Sequence, residues 1–250
     1  MRPGTVSVEL KRLAGRFGEI RRGQGVTAAL RETSEVIYGY AAFPLYRSNR
    51  SPDAFEFGGH SIPYFRHPYN RAWQNERSVE LALAFELLDL SPPRRVLEIG
   101  NVLSHYRAFA HDIVDKYERG PAVTNEDVLE FHPAQPYDVV VSISTLEHVG
   151  WDEEPREPEK AGLAVDAVSA LVRAEGALLV TLPIGYNPQI DALIEHGTSD
   201  MPTVGFLKRI SRDNRWCEVS KSEALRCSYA APYRGANAVF VGGRNLGRPS

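Results

Sequence analysis

Hydrophobic residues along the 250-residue chain alternate between two kinds of pattern. Short, nearly continuous apolar runs occur at Val96-Leu97-Glu98-Ile99, Ile113-Val114, Tyr137-Asp138-Val139-Val140-Val141-Ser142-Ile143 and Ala177-Leu178-Leu179-Val180-Thr181-Leu182. Runs of this length, rich in β-branched residues, predict strands covered on both faces, as in a parallel sheet. Between them the spacing turns helical. Val79, Ala82, Leu83, Phe85 and Leu87 supply the apolar face of a helix that should begin at Asn75, a good N-cap, and stop at Ser91-Pro92-Pro93. Ala161, Ala164, Val165, Val168, Leu171 and Val172 do the same for Glu159 to Arg173, with Gly176 expected as the left-handed residue that ends the helix. Only a short helix fits His105 to Phe109. Arg215 to Val219 and Asn237 to Val241 are the last two strand candidates. Strands alternating with helices predict an α/β sheet joined by right-handed crossovers.

The first 74 residues read differently. Val8, Leu10, Leu13, Phe17 and Ile20 recur at near-helical spacing, and Ala28 to Tyr38 predict a second short helix beyond Gly23-Gln24-Gly25. Ser48 to Asn70 mix Pro52, Gly58, Gly59, Pro63 and Pro68 with Phe55, Phe57, Tyr64, Phe65 and Tyr69. A long irregular stretch of that kind suits a lid or substrate wall, or an aromatic-pinned surface loop. The expected organisation is an appendage or lid over 1–74 and an α/β domain over 75–250.

Candidate chemistry gathers where strands end. Glu98 breaks an apolar run one residue before Gly100, and a carboxylate there is costly to bury unless it is hydrogen-bonded. Open α/β sheets bind ligands at that edge, where a glycine permits a sharp turn and close approach. Tyr137-Asp138-Val139-Val140-Val141 runs on through Ser142 and Ser144 into Leu146-Glu147-His148-Val149. Strand, acid and glycine, followed by that fourth-strand sequence, resemble class I S-adenosylmethionine-dependent methyltransferases from the helix at Asn75 to near the end of the chain. The resemblance departs at Val102 and Ser104, where the family's glycine-rich turn has two further glycines.

That resemblance implies a Rossmann-like methyltransferase fold: a mostly parallel seven-stranded sheet with one antiparallel strand, inserted by a final hairpin, and helices on both faces. It implies S-adenosylmethionine as cofactor, with S-adenosylhomocysteine as product. Glu98, Gly100, Asn101 and Ser142 would line the cofactor site, Asp115 (or Asp112, if the strand ends earlier) would accept the ribose hydroxyls, and Asp127 would face the adenine amino group. Asn75 and Arg77 would approach the methionine end. His148 is the natural general base, since imidazole titrates near working pH, and Glu147 would orient it or touch the acceptor. A helix cap is the plain alternative for His148. Tyr69, Trp73, Trp151, Tyr186, Arg215 and Trp216 are the expected acceptor contacts, suited to a saccharide or another small metabolite methylated on a hydroxyl.

Bulk properties narrow the rest. With 43% hydrophobic and 24% charged residues the chain is an ordinary globular one, and no apolar run nears the roughly 20 residues of a membrane helix. A net charge of −3 disfavours nucleic acid, despite Lys11, Arg12, Arg16, Arg21 and Arg22 near the start. The polar, basic start is not a secretory signal, and two plain cysteines, Cys217 and Cys227, suggest a cytoplasmic protein with a disulfide as the alternative. No metal site is expected: Ser144 stands where related quinone-pathway O-methyltransferases carry an acid, although Asp152, Glu153 and Glu154 could supply oxygens. A homo-oligomer is an open alternative. The rival readings are a dinucleotide-dependent oxidoreductase, against which the absent glycines weigh, a non-catalytic binding protein on the same scaffold, and RNA as acceptor.

Overall fold

The computed structural model describes residues 26–48, 53–89, 94–120, 122–198 and 200–246. The candidate helix over 8–20, the basic tract and the Ser91-Pro92-Pro93 stop lie outside them. Chain contacts divide the protein into two compact units, 1–51 with 67–72, and 52–66 with 73–250.

In the first unit α1 (Val26–Ser48) is longer than the predicted Ala28–Tyr38 helix and runs through Pro44. A turn at Tyr69–Arg71 packs against it. Gly39 makes that approach feasible, since a Cβ there would lie 2.9 Å from Arg71 Cγ and 3.1 Å from the Pro68 carbonyl oxygen.

The second unit holds an eight-stranded sheet. Its elements in chain order are the hairpin β1 (Ala54–Phe57) and β2 (His60–Pro63), α2 (Arg77–Asp89), β3 (Val96–Ile99), β4 (Asp112–Val114), β5 (Val123–Thr124), β6 (Tyr137–Ile143), α3 (Lys160–Ala170), β7 (Val172–Pro183), α4 (Pro188–His196), β8 (Thr203–Arg209), β9 (Trp216–Val219), α5 (Lys221–Ala224) and β10 (Ala238–Arg244). Strands lie in the order β5-β4-β3-β6-β7-β10-β8-β9. β3 to β7 pair in parallel, β10 is antiparallel to both β7 and β8, and β9 is antiparallel to β8. This is the expected Rossmann-like methyltransferase arrangement, widened to eight strands with two antiparallel ones. Because β4 and β6 flank β3 on opposite sides, the chain reverses direction across the sheet there, which opens a crevice at the strands' C-terminal ends.

Three expectations are corrected. The last two strand candidates do not form a hairpin with each other: β8, unpredicted, lies between β10 and β9. The stretch 48–70 is not irregular throughout, because Phe55, Phe57 and Ile62 are the buried side of the β1–β2 hairpin. That hairpin is tied to the sheet edge, with the Gly58 amide donating to Glu218 Oε2 at 2.7 Å and the Phe57 ring lying where a Cβ on Gly205 would go. Gly176 does not end α3. It sits inside β7, where a Cβ would lie 2.8 Å from the Asp138 carbonyl oxygen.

Successive strand residues point to opposite faces. On one face Leu97, Val140, Leu178 and Val180 form a core with Ala161, Ala164, Val165 and Val168 of α3 and Ile190 and Ile194 of α4. On the other, α2 is anchored by a charge. Glu80, fully buried, accepts from Thr181 Oγ1 (2.9 Å), Ser144 Oγ (2.5 Å) and an Arg77 guanidinium nitrogen (2.7 Å). Arg77 also donates to the Ile143 carbonyl at 3.2 Å. Cys217 and Cys227 are free thiols, and no helix among the described residues is long and apolar enough to cross a membrane.

Removing one partner of such a buried pair strands the other charge, at a cost of about 3 kcal/mol. Glu80→Gln, which keeps an acceptor for the two hydroxyls but strands Arg77, should therefore lower the urea midpoint clearly, and Glu80→Ala, which loses the acceptor as well, should lower it further. A Glu80→Gln midpoint equal to that of the native protein would show that the charge contributes nothing.

Candidate functional site

The crevice is shaped by the turn after β3. Glu98 is fully buried, and its Oε1 accepts the amides of Val102 (2.7 Å) and Leu103 (2.6 Å), while Oε2 lies 2.7 Å from His111 Nε2. The chain is thereby wound around its own carboxylate. Gly100 enters the turn at φ 83°, a region that L side chains avoid, and a Cβ there would collide with Thr145. Its amide donates to the Val114 carbonyl at 2.8 Å, and that of Asn101 to Asp115 Oδ2 at 3.1 Å.

Above this turn lies a cavity of about 610 Å³. Gly100, Asn101, Asp115, Asp127, Ser144 and His148 all line it, so four of the expected cofactor residues and the expected base share one crevice. Asp115 directly follows β4. Its Oδ1 accepts the amides of Tyr117 (2.9 Å) and Glu118 (2.7 Å), so three of about four acceptor positions on the carboxylate are used. Asp112 lies at the strand's other end, accepting from the Tyr137 hydroxyl at 2.8 Å.

Asp127 stands in a cluster the sequence did not suggest. Lys116 and Lys160 donate to its Oδ2 at 3.0 and 2.8 Å, and both ammonium groups reach Glu153 Oε2 at 3.1 and 3.0 Å. Burial pushes the Asp127 carboxyl up, but hydrogen bonds from Lys160 and Lys116 and the Leu129 amide outweigh it and hold it at about 2. Lys116 is raised above its ordinary value: burial opposes this, and Asp127 and Glu153 prevail.

At the far end of the lining, the single helical turn Leu146–His148 follows β6. His148 is half exposed, with Nδ1 2.5 Å from Asp152 Oδ2 and Nε2 3.6 Å from Glu147 Oε1. Tyr186, in the loop after β7, donates its hydroxyl to the same Asp152 oxygen at 2.5 Å. The carboxylate on the imidazole is thus Asp152 rather than Glu147. Glu147 is buried with Oε2 lacking a hydrogen-bond partner, and burial raises its pKa well above the ordinary carboxyl value.

The remaining candidates fall elsewhere. Glu98 lies beneath the cavity, and Ser142 is buried with its hydroxyl 3.3 Å from the Ile99 carbonyl. Asn75 accepts the Arg77 amide at 3.2 Å, as a cap should, and Arg77 is committed to Glu80. Trp73 and Trp216 are core residues, the Trp216 indole donating to Asn214 Oδ1 at 2.9 Å. Trp151 lies under the Arg156 guanidinium, and Arg215 extends along the surface towards Asp213 and Ser211. Tyr69 belongs to the first unit, its amide donating to His67 Nδ1. Among the described residues no group of three or more His, Cys, Asp or Glu is arranged to hold a metal ion.

No protein-family model and no curated protein matches the chain. Among solved structures it is similar to the N-methyltransferase NodS from Bradyrhizobium japonicum WM9 in complex with S-adenosylhomocysteine, at 13% identity and TM-score 0.43 over 82% of this chain and 96% of that one. It is also similar to a 1,6-didemethyltoxoflavin-N1-methyltransferase from Burkholderia thailandensis, at 14% identity and TM-score 0.40, covering 74% of this chain and 96% of that one. A possible histamine N-methyltransferase from Thermotoga maritima gives 14% identity and TM-score 0.40, over 71% and 94%. At such identities the likeness concerns fold and is silent on substrate.

Because the folded-state carboxyl of Asp127 is held below its ordinary value of 3.8, its contribution to stability is present above that pH and lost as pH falls towards about 2. Urea midpoints measured across that window should drop in the native protein, and Asp127→Asn should flatten the drop. An identical acid limb in the variant would mean that the two lysines do not hold this carboxylate.

Proposed function

We propose that the chain is an S-adenosylmethionine-dependent methyltransferase acting on a hydroxyl of a saccharide or other small metabolite, with His148 as general base. One observation carries the reading: Gly100, Asn101, Asp115 and Asp127 converge with His148 on a single cavity at the C-terminal edge of the sheet. A cavity of about 610 Å³ is of the size that holds a nucleoside-like ligand. Carboxylates at both Asp115 and Asp127 suit the hydroxyls and amino group of an adenosine, and Gly100 gives close backbone approach at the turn. When bound, the cofactor supplies an electrophilic methyl group on a sulfonium.

The chain's own residues then have two tasks. The first is positioning, which alone can account for several kcal/mol of rate enhancement. The second falls to His148: Nε2 would take the proton of the acceptor hydroxyl as that oxygen is methylated, and the half-exposed ring would pass it to water. Burial raises the Glu147 carboxyl well above its ordinary range.

The same turn argues against a dinucleotide cofactor. Pyrophosphate is bound by free amides at a helix start. Here the amides of Gly100, Asn101, Val102 and Leu103 are all used internally, by Val114, Asp115 and Glu98.

Mass spectrometry of the protein purified without added ligand should reveal a co-purifying adenosine-containing compound, and calorimetry should show S-adenosylhomocysteine binding. Failure to bind that compound, with NADH bound instead, would overturn the reading. His148→Ala should lower turnover at least tenfold while cofactor affinity stays within a few-fold. Asp115→Ala should instead weaken cofactor binding, and an unchanged affinity would remove it from the nucleoside site.

A further inference from the structure

We infer that Asp152 is a positioning residue for His148, holding the imidazole with its proton on Nδ1 so that Nε2 is the basic atom, and that Tyr186 fixes Asp152 in place. The inference rests on the base role given to His148 above, and it adds two residues from outside that residue's own helical turn. His148 and Asp152 belong to one stretch after β6, the Asp152 amide donating to the His148 carbonyl at 3.0 Å, and Tyr186 comes from the loop after β7. They meet at one atom. Asp152 Oδ2 lies 2.5 Å from His148 Nδ1 and accepts the Tyr186 hydroxyl at 2.5 Å.

An ionised carboxylate can only accept hydrogen bonds. Burial pushes Asp152 up, but the hydrogen bonds from Tyr186 and His148 outweigh it and hold its carboxyl below the ordinary range. Nδ1 must then be the donor, which leaves the lone pair of a neutral imidazole on Nε2. That atom is not consumed: its neighbour Glu147 Oε1 is 3.6 Å away, beyond hydrogen-bond length.

Tyr186 contributes in two ways. Its hydroxyl donates to Oδ2, and its ring meets the His148 ring edge-on, with centroids 4.9 Å apart at 68°. Tyr229 backs Tyr186 in turn, at 5.0 Å and 75°. The pair His148–Asp152 is too exposed, at 48% and 42%, to matter much for stability. Its consequence is instead the choice of tautomer and the direction in which Nε2 points, and a misplaced base costs on the order of 10²-fold in rate.

The test is nitrogen-15 NMR of the full ligand-free chain, with the His148 ring assigned among the seven histidines by its disappearance in His148→Gln. At a pH where the ring is neutral, the expected spectrum shows the proton on Nδ1 and a pyridine-like Nε2. Asp152→Ala should move the ring to the Nε2–H form that free imidazole side chains prefer, and Tyr186→Phe, which keeps the ring contact, should move it part of the way. In turnover, Asp152→Ala should lower kcat at least tenfold with KM for the acceptor within about threefold. An Nε2–H ring in the native protein overturns the inference, as does a tautomer that neither variant moves. The spectrum needs no methyl acceptor, so a correct tautomer in a protein that binds no S-adenosylhomocysteine would sink the proposed function and leave the positioning intact.

Discussion

Glu98 cannot be solvated where it stands, and the cavity's geometry follows from how that problem is solved. Moving a carboxylate out of water costs several kcal/mol unless hydrogen bonds replace the lost shell. Two replacements are the amides of Val102 and Leu103, which forces the chain to curl back over the strand end it has just left. A third comes from His111, whose ring is stacked on Phe109 at 3.9 Å and whose Nδ1 contacts the Phe109 carbonyl at 3.1 Å. One carboxylate therefore fixes the end of β3, the turn and the entry to β4 together. Gly100 is the point at which that winding passes against Thr145 from the end of β6, so the two strands that border the crevice are locked in relative position.

A second buried carboxylate does comparable work beneath α2. Glu80 gathers Arg77 from its own helix, Ser144 from the end of β6 and Thr181 from β7. Since Ser144 also lines the cavity, the rim is attached to α2 through hydrogen bonds rather than apolar packing alone. Directional bonds of this kind hold a wall in register in a way that interchangeable hydrophobic contacts do not.

What the chain disclosed in sequence followed how local each feature is. β6 was plain because Val139, Val140, Val141 and Ile143 are buried on both faces and need no alternation. β8 was hidden because it lies near the sheet's edge, where Thr203, Val204, Gly205 and Lys208 are not fully buried, and because Gly205 reads as a breaker until Phe57 is seen to occupy its missing side chain. The β1–β2 hairpin did carry a signal, two glycines between residues of alternating polarity, masked by the surrounding prolines. Gly176 looked like a helix stop, but its reason for being glycine is the Asp138 carbonyl across the sheet. The same distinction governs the site. Glu98, Gly100, Asp115 and His148 were legible because strand ends mark them. Asp152 was not, since its role depends on Tyr186, 34 residues away, and the lysines on Asp127 come from two different segments.

The two ends of the cavity are built for different electrostatic work. At Asp127 two carboxylates face two ammonium groups, so their charges balance within the cluster. At His148 they do not. Burial pushes the Glu147 carboxyl well above its ordinary range, whereas hydrogen bonds from Tyr186 and His148 hold Asp152 below its own. In the proposed reaction the imidazole would become positively charged as it takes the hydroxyl proton. A carboxylate already hydrogen-bonded to that ring stabilises the charge where it arrives, and does so without reorganising, because Tyr186 has fixed it beforehand. In that proposed role the Asp152 side chain would lower the energy of the product-side charge distribution more than that of the reactant side, which is the property a group must have to accelerate a step rather than merely bind its participants.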